Sequence, residues 1–374
     1  MSHLSNIYRL GIKELRSLWR DPMMLVLILY AFTLGIYVAA TAMPDTLHRA
    51  PIAIVDEDQS PLSGRIVGAF YPPHFAQPDL VDLKDADRGM DAGRYTFTLD
   101  LPPDFQRDVL AGRQPSVQLN VDATRMSQAF AGGGYIQQIV QGEVAEFMKG
   151  TRASQTLPAD LVLRARFNPS LTQSWFGAVM EIINNVTMLS IVLTGAALIR
   201  EREHGTIEHL LVMPVTPFEI MASKIWAMGL VVLTACAFAL VAVVRGALGV
   251  PIEGSIPLFL AGAVLHLFAA TSMGIFMGTI ARSMPQFGLL LMLVLLPLQM
   301  LSGGMTPRES MPEFVQIVML AAPTTHFVKM AQAILYRGAG FEVVWPQFLA
   351  ISGIGTIFFI VALGRFRRTI ATMA

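Results

Sequence analysis

Six apolar runs, each long enough to cross a bilayer, constrain the fold of this chain more than any other feature. A helix of roughly 20 apolar residues spans about 30 Å of hydrocarbon. The composition agrees, because 53% of the 374 residues are hydrophobic and only 14% are charged. The sequence therefore predicts an α-helical membrane protein with six transmembrane helices. They are expected at residues 23–43, 175–199, 225–244, 256–281, 286–302 and 345–364.

Lysine and arginine are distributed unevenly between the two sets of segments that join these runs. One set, which includes both chain ends, carries most of them: Arg9, Lys13, Arg16, Arg20, Arg200, Arg202, Lys224, Arg282, Arg365, Arg367 and Arg368. The other short loops carry only Arg245, Arg308, Lys329 and Arg337. Short loops that stay in the cytoplasm are enriched in these residues. We therefore predict that both termini are cytoplasmic, including a short tail at 365–374.

In the segment before the first run, residues 1–22, basic and apolar residues alternate at helical spacing, so that the basic residues share one face. The other face is lined by Leu4, Tyr8, Ile12, Leu15 and Trp19. This pattern predicts an N-terminal amphipathic helix that lies at the membrane interface, in the headgroup layer. A simple basic anchor on the cytoplasmic side explains the charges equally well, so both interpretations remain open.

Between the first two runs, residues 44–174 have the composition of a water-soluble domain, rich in Asp, Gln, Pro and Gly. Strand-like and helical segments alternate there, which predicts a small α/β domain on the outer, periplasmic face. The strands are expected at 51–55, 95–99 and 117–121, and the helices at 61–70, 103–112 and 126–149. The acidic run Asp56, Glu57 and Asp58 has no paired base or nucleophile, so we assign it to a turn that caps the next helix.

The last outer segment, residues 303–344, is predicted to contain two short helices. Ser310 followed by Glu313 forms a capping-box signature for the first of them. The second begins near Thr324 and ends by Gly338, a residue suited to a C-terminal cap. Two such helices at the outer surface are able to dip into the edge of the bilayer, although packing of their apolar faces against the outer domain explains the pattern equally well.

A dense polar segment, Arg200–Pro214, lies directly between the second and third runs. It leads to a helix start in which Thr216 and Glu219 form a capping box and Pro217 suits the first helical position. The pattern predicts a helix end, a tight turn and a new helix that returns to the membrane. We refer to residues 200–224 as the elbow. Because the elbow is polar and cytoplasmic, we expect another protein to bind it from the water.

The sequence contains no Gly-x-x-x-x-Gly-Lys-Ser/Thr phosphate loop, and no Gly-Lys pair occurs anywhere. The chain therefore cannot hydrolyse a nucleotide by that route, and we expect neither enzymatic activity nor a bound cofactor. The metal-like grouping in the elbow is Glu203, His204, Glu208 and His209. Its two histidines lack the i, i+4 spacing of a helical zinc site, so a surface for protein docking is the better explanation.

Polar residues within apolar runs are costly in a membrane and mark candidate functional sites. Glu181, Asn184 and Asn185 are helical neighbours in the second run, and Gln299 interrupts the fifth. We predict that these four side chains line a substrate path, with buried hydrogen bonds between helices as the competing explanation. The Gly274–Gly278 pair predicts close helix packing, either within the chain or at a subunit interface.

The elbow and several other segments resemble the type 2 ATP-binding-cassette (ABC-2) exporter permeases. In the elbow the shared residues are Glu201-Arg202-Glu203, Gly205-Thr206, Glu208, Leu210-Leu211, Pro214, Glu219 and Lys224. Further matches occur at Val55–Ser60, Asp104-Phe105, Asn168-Pro169, Leu301–Pro307 and Ala322–Thr325. The resemblance covers essentially the whole chain, and the large outer domain is similar to that of the subgroup linked to drug-like or adaptor-assisted export.

This resemblance implies the membrane-spanning half of an exporter in the bacterial inner membrane, with a drug-like or amphipathic substrate. Two permeases, identical or sister chains, would join two cytoplasmic ATPase subunits that bind ATP and Mg. A periplasmic membrane-fusion adaptor is a further candidate partner, whereas nucleic acid is not. The residues expected to couple the elbow to the ATPase are Arg200, Glu201, Arg202, Glu203, Gly205, Thr206, Glu208 and Pro214. The competing hypothesis is a non-transporting scaffold or sensor whose periplasmic domain binds a ligand.

Overall fold

A computed structural model describes residues 3–41, 49–122, 126–151, 173–203, 214–306 and 308–371. The chain forms two compact units, of which the larger combines Met1–Met43 with Gln173–Ala374 and the smaller is Pro44–Thr172. The smaller unit is therefore inserted into the sequence of the larger one. Each unit has its own hydrophobic core.

Thirteen helices and four strands occur among the described residues, apart from a short 3₁₀ turn. The helices are α1 (His3–Trp19), α2 (Pro22–Thr41), α3 (Pro61–Ala69), α4 (Leu83–Asp91), α5 (Phe105–Leu110), α6 (Met126–Thr151), α7 (Gln173–Glu203), α8 (Pro217–Ala247), α9 (Ile256–Ile280), α10 (Met284–Leu301), α11 (Glu313–Met319), α12 (Pro323–Leu335) and α13 (Phe341–Ala371). The strands are β1 (Ile52–Asp56), β2 (Asp79–Leu80), β3 (Phe97–Leu101) and β4 (Gln118–Val121). Six of the described helices, α2, α7, α8, α9, α10 and α13, are long and apolar enough to cross a membrane. The predicted helical membrane protein with about six spans is thus confirmed.

Three spanning helices, α7, α8 and α13, extend by a turn or more beyond the predicted apolar runs. Helix α8 begins at Pro217, about two turns before the predicted span. The predicted capping box forms, because the Thr216 hydroxyl oxygen accepts from the Glu219 N–H at 3.3 Å and the Glu219 carboxylate accepts from the Thr216 N–H at 2.5 Å. Helix α13 continues into the predicted tail at 365–374 as far as Ala371. Basic residues near its end complement the negative pole of the helix dipole.

Helix α1 packs along α8 through a close approach of the two backbones. A Cβ on Gly11 would lie 2.1 Å from the indole ring of Trp226, so only glycine leaves room for that ring. The indole N–H donates to the Ile7 carbonyl oxygen at 3.2 Å, and the Tyr8 ring stacks on the indole. Other apolar side chains of α1, such as Trp19, remain exposed. The N-terminal segment is therefore a helix fastened to the spanning bundle along one face.

Helices α7 and α9 pack closely in the middle of the larger unit. A Cβ on Gly274 would lie 2.6 Å from the Ile191 carbonyl oxygen, and one on Gly278 would lie 3.3 Å from the Gly195 carbonyl oxygen. Small residues at such crossings let two helix backbones approach. Of the two roles left open for the Gly274–Gly278 pair, the structure supports packing within the chain.

Helices α11 and α12 form a pair bent by 88°. The capping box predicted from Ser310 and Glu313 is wrong, because Pro312 takes the N-cap position and no side chain caps α11. Ser310 instead ends a short 3₁₀ turn, in which the Met311 N–H donates to the Arg308 carbonyl oxygen at 3.0 Å. The chain therefore turns before the helix starts, which the local sequence pattern does not reveal.

Helix α12 begins at Pro323 and ends as predicted. Beyond its last turn, the Gly338 N–H donates to the Ile334 carbonyl oxygen at 3.1 Å, and Gly338 has a φ of +67°, the left-handed conformation that favours glycine. The Glu253 N–H, just before α9, donates to the Leu335 carbonyl oxygen at 3.1 Å. The C-terminal end of α12 therefore lies beside the start of α9.

The smaller unit is a four-stranded sheet in the order β2-β1-β3-β4, accompanied by α3 to α6. Strand β1 pairs in parallel with β2 and β3, and β4 joins β3 in antiparallel fashion. The three predicted strands are present within about two residues of their expected bounds. Strand β2 and helix α4 were not predicted, because β2 has two residues and α4 is short and highly charged.

The acidic run after β1 holds a turn, as predicted. The Asp56 carboxylate accepts from the Ser63 hydroxyl at 2.8 Å, and Asp58 accepts from the Gln106 N–H at 3.1 Å. Ser60 and Ser63 close the capping box of α3. Within the described parts of the chain, no group of three or more His, Cys, Asp or Glu side chains is arranged to hold a metal ion.

Gly274→Ala should lower the thermal stability of the purified protein, because the added Cβ has to displace the α7 backbone at Ile191. Overpacking of this kind typically costs about 1–3 kcal/mol. The matched control is Gly353→Ala, on an exposed face of α13 where a Cβ meets nothing within 4 Å. That change should be neutral or stabilising, since alanine favours helix. Equal melting temperatures for the two variants in detergent would contradict the assigned packing.

Candidate functional site

The structure describes both edges of the elbow but not residues 204–213. Three predicted coupling residues, Gly205, Thr206 and Glu208, therefore lie outside the described residues. Pro214, at the second edge, is exposed. The contacts at the two edges define how this segment is attached to the rest of the larger unit.

Lys224, in the second turn of α8, is itself buried and lies in a group of four charged side chains. Its Nζ is 2.9 Å from Oε1 of Glu14 and 2.8 Å from Oε2 of Glu201. Lys13 completes the group, with its Nζ 2.5 Å from Oε1 of Glu201 and 3.2 Å from Oε1 of Glu14. The side chain of Lys224 is 1% exposed and that of Glu14 is 6% exposed. We call these four residues the Lys224 cluster.

The Lys224 cluster joins α1, the end of α7 and the start of α8, and its formal charges sum to zero. Removing one ion from water costs several kcal/mol, so each buried charge here depends on its partners. Burial alone would lower the pKa of Lys13, but the negative charges of Glu201 and Glu14 outweigh it and raise that pKa. Lys13 therefore stays protonated at physiological pH and contributes its charge to the cluster.

Asp21 fastens the same region at the start of α2. Its carboxylate pairs with the Arg200 guanidinium and accepts from the Met24 N–H at 3.1 Å, which caps α2. Burial would raise the pKa of Asp21, but the hydrogen bond from Met24 and the interaction with Arg200 outweigh it and lower that pKa. Ionised Asp21 thus links the start of α2 to the end of α7.

Arg202 and Glu203 attach the end of α7 to the link between α9 and α10. The Arg202 guanidinium donates to the Ala281 carbonyl oxygen at 2.7 Å. The Glu203 carboxylate accepts from the Met284 N–H at 3.0 Å. Met284 is the first residue of α10, where free N–H groups and the helix dipole favour a negative charge.

At the other edge of the elbow, Glu219 joins α8 to α1. Its Oε1 accepts from the Asn6 side-chain amide at 3.0 Å and lies 3.0 Å from Nδ1 of His3. Its second oxygen closes the capping box with Thr216. Glu219 is 1% exposed, so its carboxylate binds groups of this chain and is not presented to solvent.

Four of the predicted coupling residues bond to other segments of the chain. They are Arg200, Glu201, Arg202 and Glu203. Their side chains therefore brace the edges of the elbow, and a charge reversal at Glu201 would break the Lys224 cluster before it tested any docking. Glu14 and Asp21 were not among the predicted site residues, although both are partners in these contacts. A signal was available for both, since Glu14 is the one acidic residue of α1 and Asp21 precedes a proline at a helix start.

The predicted substrate-path residues fall into two groups. Glu181, Asn184 and Asn185 are adjacent on α7, with both amides beside the Glu181 carboxylate. Asn185 donates to the Ala31 carbonyl oxygen at 2.7 Å, in a π-helical stretch of α2, so it joins two helices as the competing explanation expected. Gln299 lies half-buried on α10, and its side chain forms no hydrogen bond with the other three among the described residues.

Residues 22–363 match the ABC-2 family transporter protein profile. The chain therefore belongs to the ABC-2 family of membrane transport permeases. It is 66% identical over 374 residues, the full length of both chains, to the "Inner membrane transport permease YhhJ" of Escherichia coli (strain K12). It is also 27% identical over 337 residues, 89% of this chain and 90% of the relative, to the "Probable multidrug ABC transporter permease YbhR" of the same organism.

Lys224→Met should be strongly destabilising, because Glu14 and Glu201 would then share only the cation of Lys13. Removing one partner from a buried ion pair typically costs about 3–5 kcal/mol. Lys13→Met is the matched control and should cost much less, since the Lys13 side chain is 47% exposed. Thermal unfolding in detergent measures both. If Lys224→Met unfolds no earlier than Lys13→Met, the cluster does not hold the elbow in place.

Proposed function

We propose that this chain is the transmembrane permease subunit of an ATP-driven exporter, and that a separate cytoplasmic ATPase docks at the elbow. Membership of the ABC-2 family supports this, as do relatives named as transport permeases, one of them for multidrug transport. In this proposal ATP and Mg are bound by the ATPase, and the permease carries no cofactor. The substrate is a drug-like or amphipathic compound that leaves the cytoplasm or the inner membrane.

The observation that carries the proposal is the bracing of both edges of the elbow. Helix α1, the end of α7 and the start of α8 share the Lys224 cluster, and Arg202 and Glu203 add the link between α9 and α10. A partner that pushes on residues 204–213 therefore moves several helices together. Coupling of nucleotide binding to transport requires such transmission between two arrangements of the spans.

We further propose that both termini and the elbow face the cytoplasm, with the Pro44–Thr172 unit in the periplasm of a bacterium. The unequal distribution of lysine and arginine supports this orientation. Exposed apolar side chains, such as Leu4 and Trp19, support a position of α1 in the headgroup layer. The alternative of a periplasmic sensor domain gains no specific support from its contacts.

We propose assembly with a second permease, identical or a sister chain, and the exposed apolar surface of the larger unit supports it. Only 17% of the residues in the most apolar stretch of α10 are buried within the chain, and 22% of those in the corresponding stretch of α13. In the proposed complex this surface contacts the second permease and lipid. A periplasmic membrane-fusion adaptor is the further partner that we propose for the Pro44–Thr172 unit.

Gly205→Trp combined with Glu208→Arg should reduce capture of the ATPase by the permease at least about tenfold, as expected for disruption of an interface hot spot. The melting temperature of the permease should not change, because the bracing contacts described above are made by other residues. Glu57→Arg, an exposed acid-to-arginine change in the smaller unit, is the matched control. Copurification and stimulated ATP hydrolysis provide the measurements.

Full capture of the ATPase by the Gly205 and Glu208 double variant would contradict the proposal that the ATPase docks at the elbow. Capture of a kinase or a cyclase by the unaltered chain, with no ATPase, would favour the scaffold or sensor instead.

The proposed orientation is testable by thiol labelling, because Cys236 is the one cysteine and it is buried. In a Cys236→Ala background, Glu57→Cys should react with a membrane-impermeant maleimide in intact spheroplasts. Pro214→Cys should react only after the membrane is permeabilised, since the elbow is then reached from the cytoplasmic side. Labelling of Pro214→Cys in intact spheroplasts would reverse the orientation.

A further inference from the structure

Two threonine hydroxyls at the start of α12 are buried without a hydrogen-bond partner among the described residues. Thr324 is 1% exposed and Thr325 is 7% exposed. Elsewhere in the spans, buried hydroxyls donate to the carbonyl oxygen four residues earlier, as in Thr187, Ser190, Thr194, Thr271 and Ser272. Thr324 and Thr325 lie in the first turn of α12, where no helical carbonyl oxygen precedes them at that spacing.

These hydroxyls lie near the middle of the spanning bundle. The Phe327 ring of α12 stacks on the His266 ring, with 4.1 Å between the ring centroids. His266 is the eleventh of the 25 residues of α9. Because the C-terminal end of α12 lies beside the start of α9, the N-terminal end of α12 points toward the middle of α9. Thr324 precedes Phe327 by about one turn, so α12 begins at about half the depth of α9.

His266 adds a third buried polar atom next to this helix start. Its Nε2 lies 2.8 Å from the Thr187 hydroxyl oxygen, and the Thr187 hydroxyl donates to the Ile183 carbonyl oxygen at 3.0 Å. Nδ1 of His266 is buried and has no partner in the described part of the chain.

Leaving a buried hydroxyl unsatisfied is unfavourable, whereas a valine of the same shape in that place carries no such penalty. Two such hydroxyls beside each other thus indicate a ligand group that they bind. Pro323 has no N–H and the Thr325 N–H donates to the Ala322 carbonyl oxygen at 3.3 Å, so the first turn of α12 contributes chiefly the positive pole of the helix dipole. In membrane transporters, broken helices that begin near the midplane bind anionic substrate groups in this way.

We propose that the first turn of α12 binds the oxyanion of an anionic amphiphile, with Thr324 and Thr325 as hydroxyl donors. Val318, near the end of α11, and Leu320, in the bend before α12, are 51% and 41% exposed and offer an apolar surface for the tail. Such an oxyanion has two possible sources: a single-chain acid in transit or the phosphate of a membrane lipid. The inference rests on the proposed export function in that it assigns this site to the substrate path.

The test is calorimetric titration of the purified full-length permease, in neutral detergent, with dodecanoate, with phosphatidylglycerol and with uncharged dodecanol. Thr324→Val and Thr325→Val should each weaken dodecanoate binding about tenfold, the value of one hydrogen bond to a charged group. The melting temperature of the free protein should stay the same or rise, because an unsatisfied hydroxyl is removed. Thr324→Ser keeps the hydroxyl and should retain binding.

The matched control is Thr234→Val, which removes a hydroxyl that donates to the Leu230 carbonyl oxygen on an exposed face of α8. It should leave dodecanoate binding unchanged. Threonine-dependent binding of phosphatidylglycerol but not of dodecanoate would support the site and assign it to lipid. Equal binding of dodecanol and dodecanoate, or binding that survives both valine substitutions, would overturn the proposal. No ATPase is present in this titration, so its failure is distinguishable from failure of the export proposal.

Discussion

The arrangement of the larger unit depends on the ion pairs that the buried Lys224 forms with two carboxylates. An ammonium group with 1% exposure requires negative partners, and the two carboxylates that supply them come from Glu14 and Glu201. These residues belong to three different helices, so neutralising one charge brings α1, α7 and α8 together. Lys13 balances the remaining negative charge, and the position of α1 on the bundle follows.

The neighbouring contacts extend this bracing to every segment that borders the elbow. Asp21 ties α2 to the end of α7, Glu203 ties that end to α10, and Glu219 ties the start of α8 to α1. Asp21, Glu203 and Glu219, at the described edges of the elbow, are therefore bonded within the chain. In the proposed permease driven by a separate ATPase, these contacts would transmit a push on residues 204–213 to the helices.

The sequence predicts elements whose signals are local. Apolar length locates the six spans, and the cap at Thr216 with Glu219 locates the start of α8, because both effects act within one helix. The same kind of signal fails at Ser310, where a 3₁₀ turn competes with the helix start. The position of the elbow in the chain is predictable from its polarity alone. The inward role of Glu201 is not predictable in this way, since Lys13, one of its two partners, lies some 190 residues away in the sequence.

We expect α1 and the start of α8 to move as one body when the ATPase acts. Tyr8→Cys and Trp226→Cys, in a Cys236→Ala background, replace two stacked rings whose centroids are 6.1 Å apart and which lie outside the Lys224 cluster. A cleavable bis-maleimide then joins the two helices. The account predicts equal ATP hydrolysis by the permease–ATPase complex before and after linking. Loss of hydrolysis on linking, restored when the linker is cleaved, would contradict it.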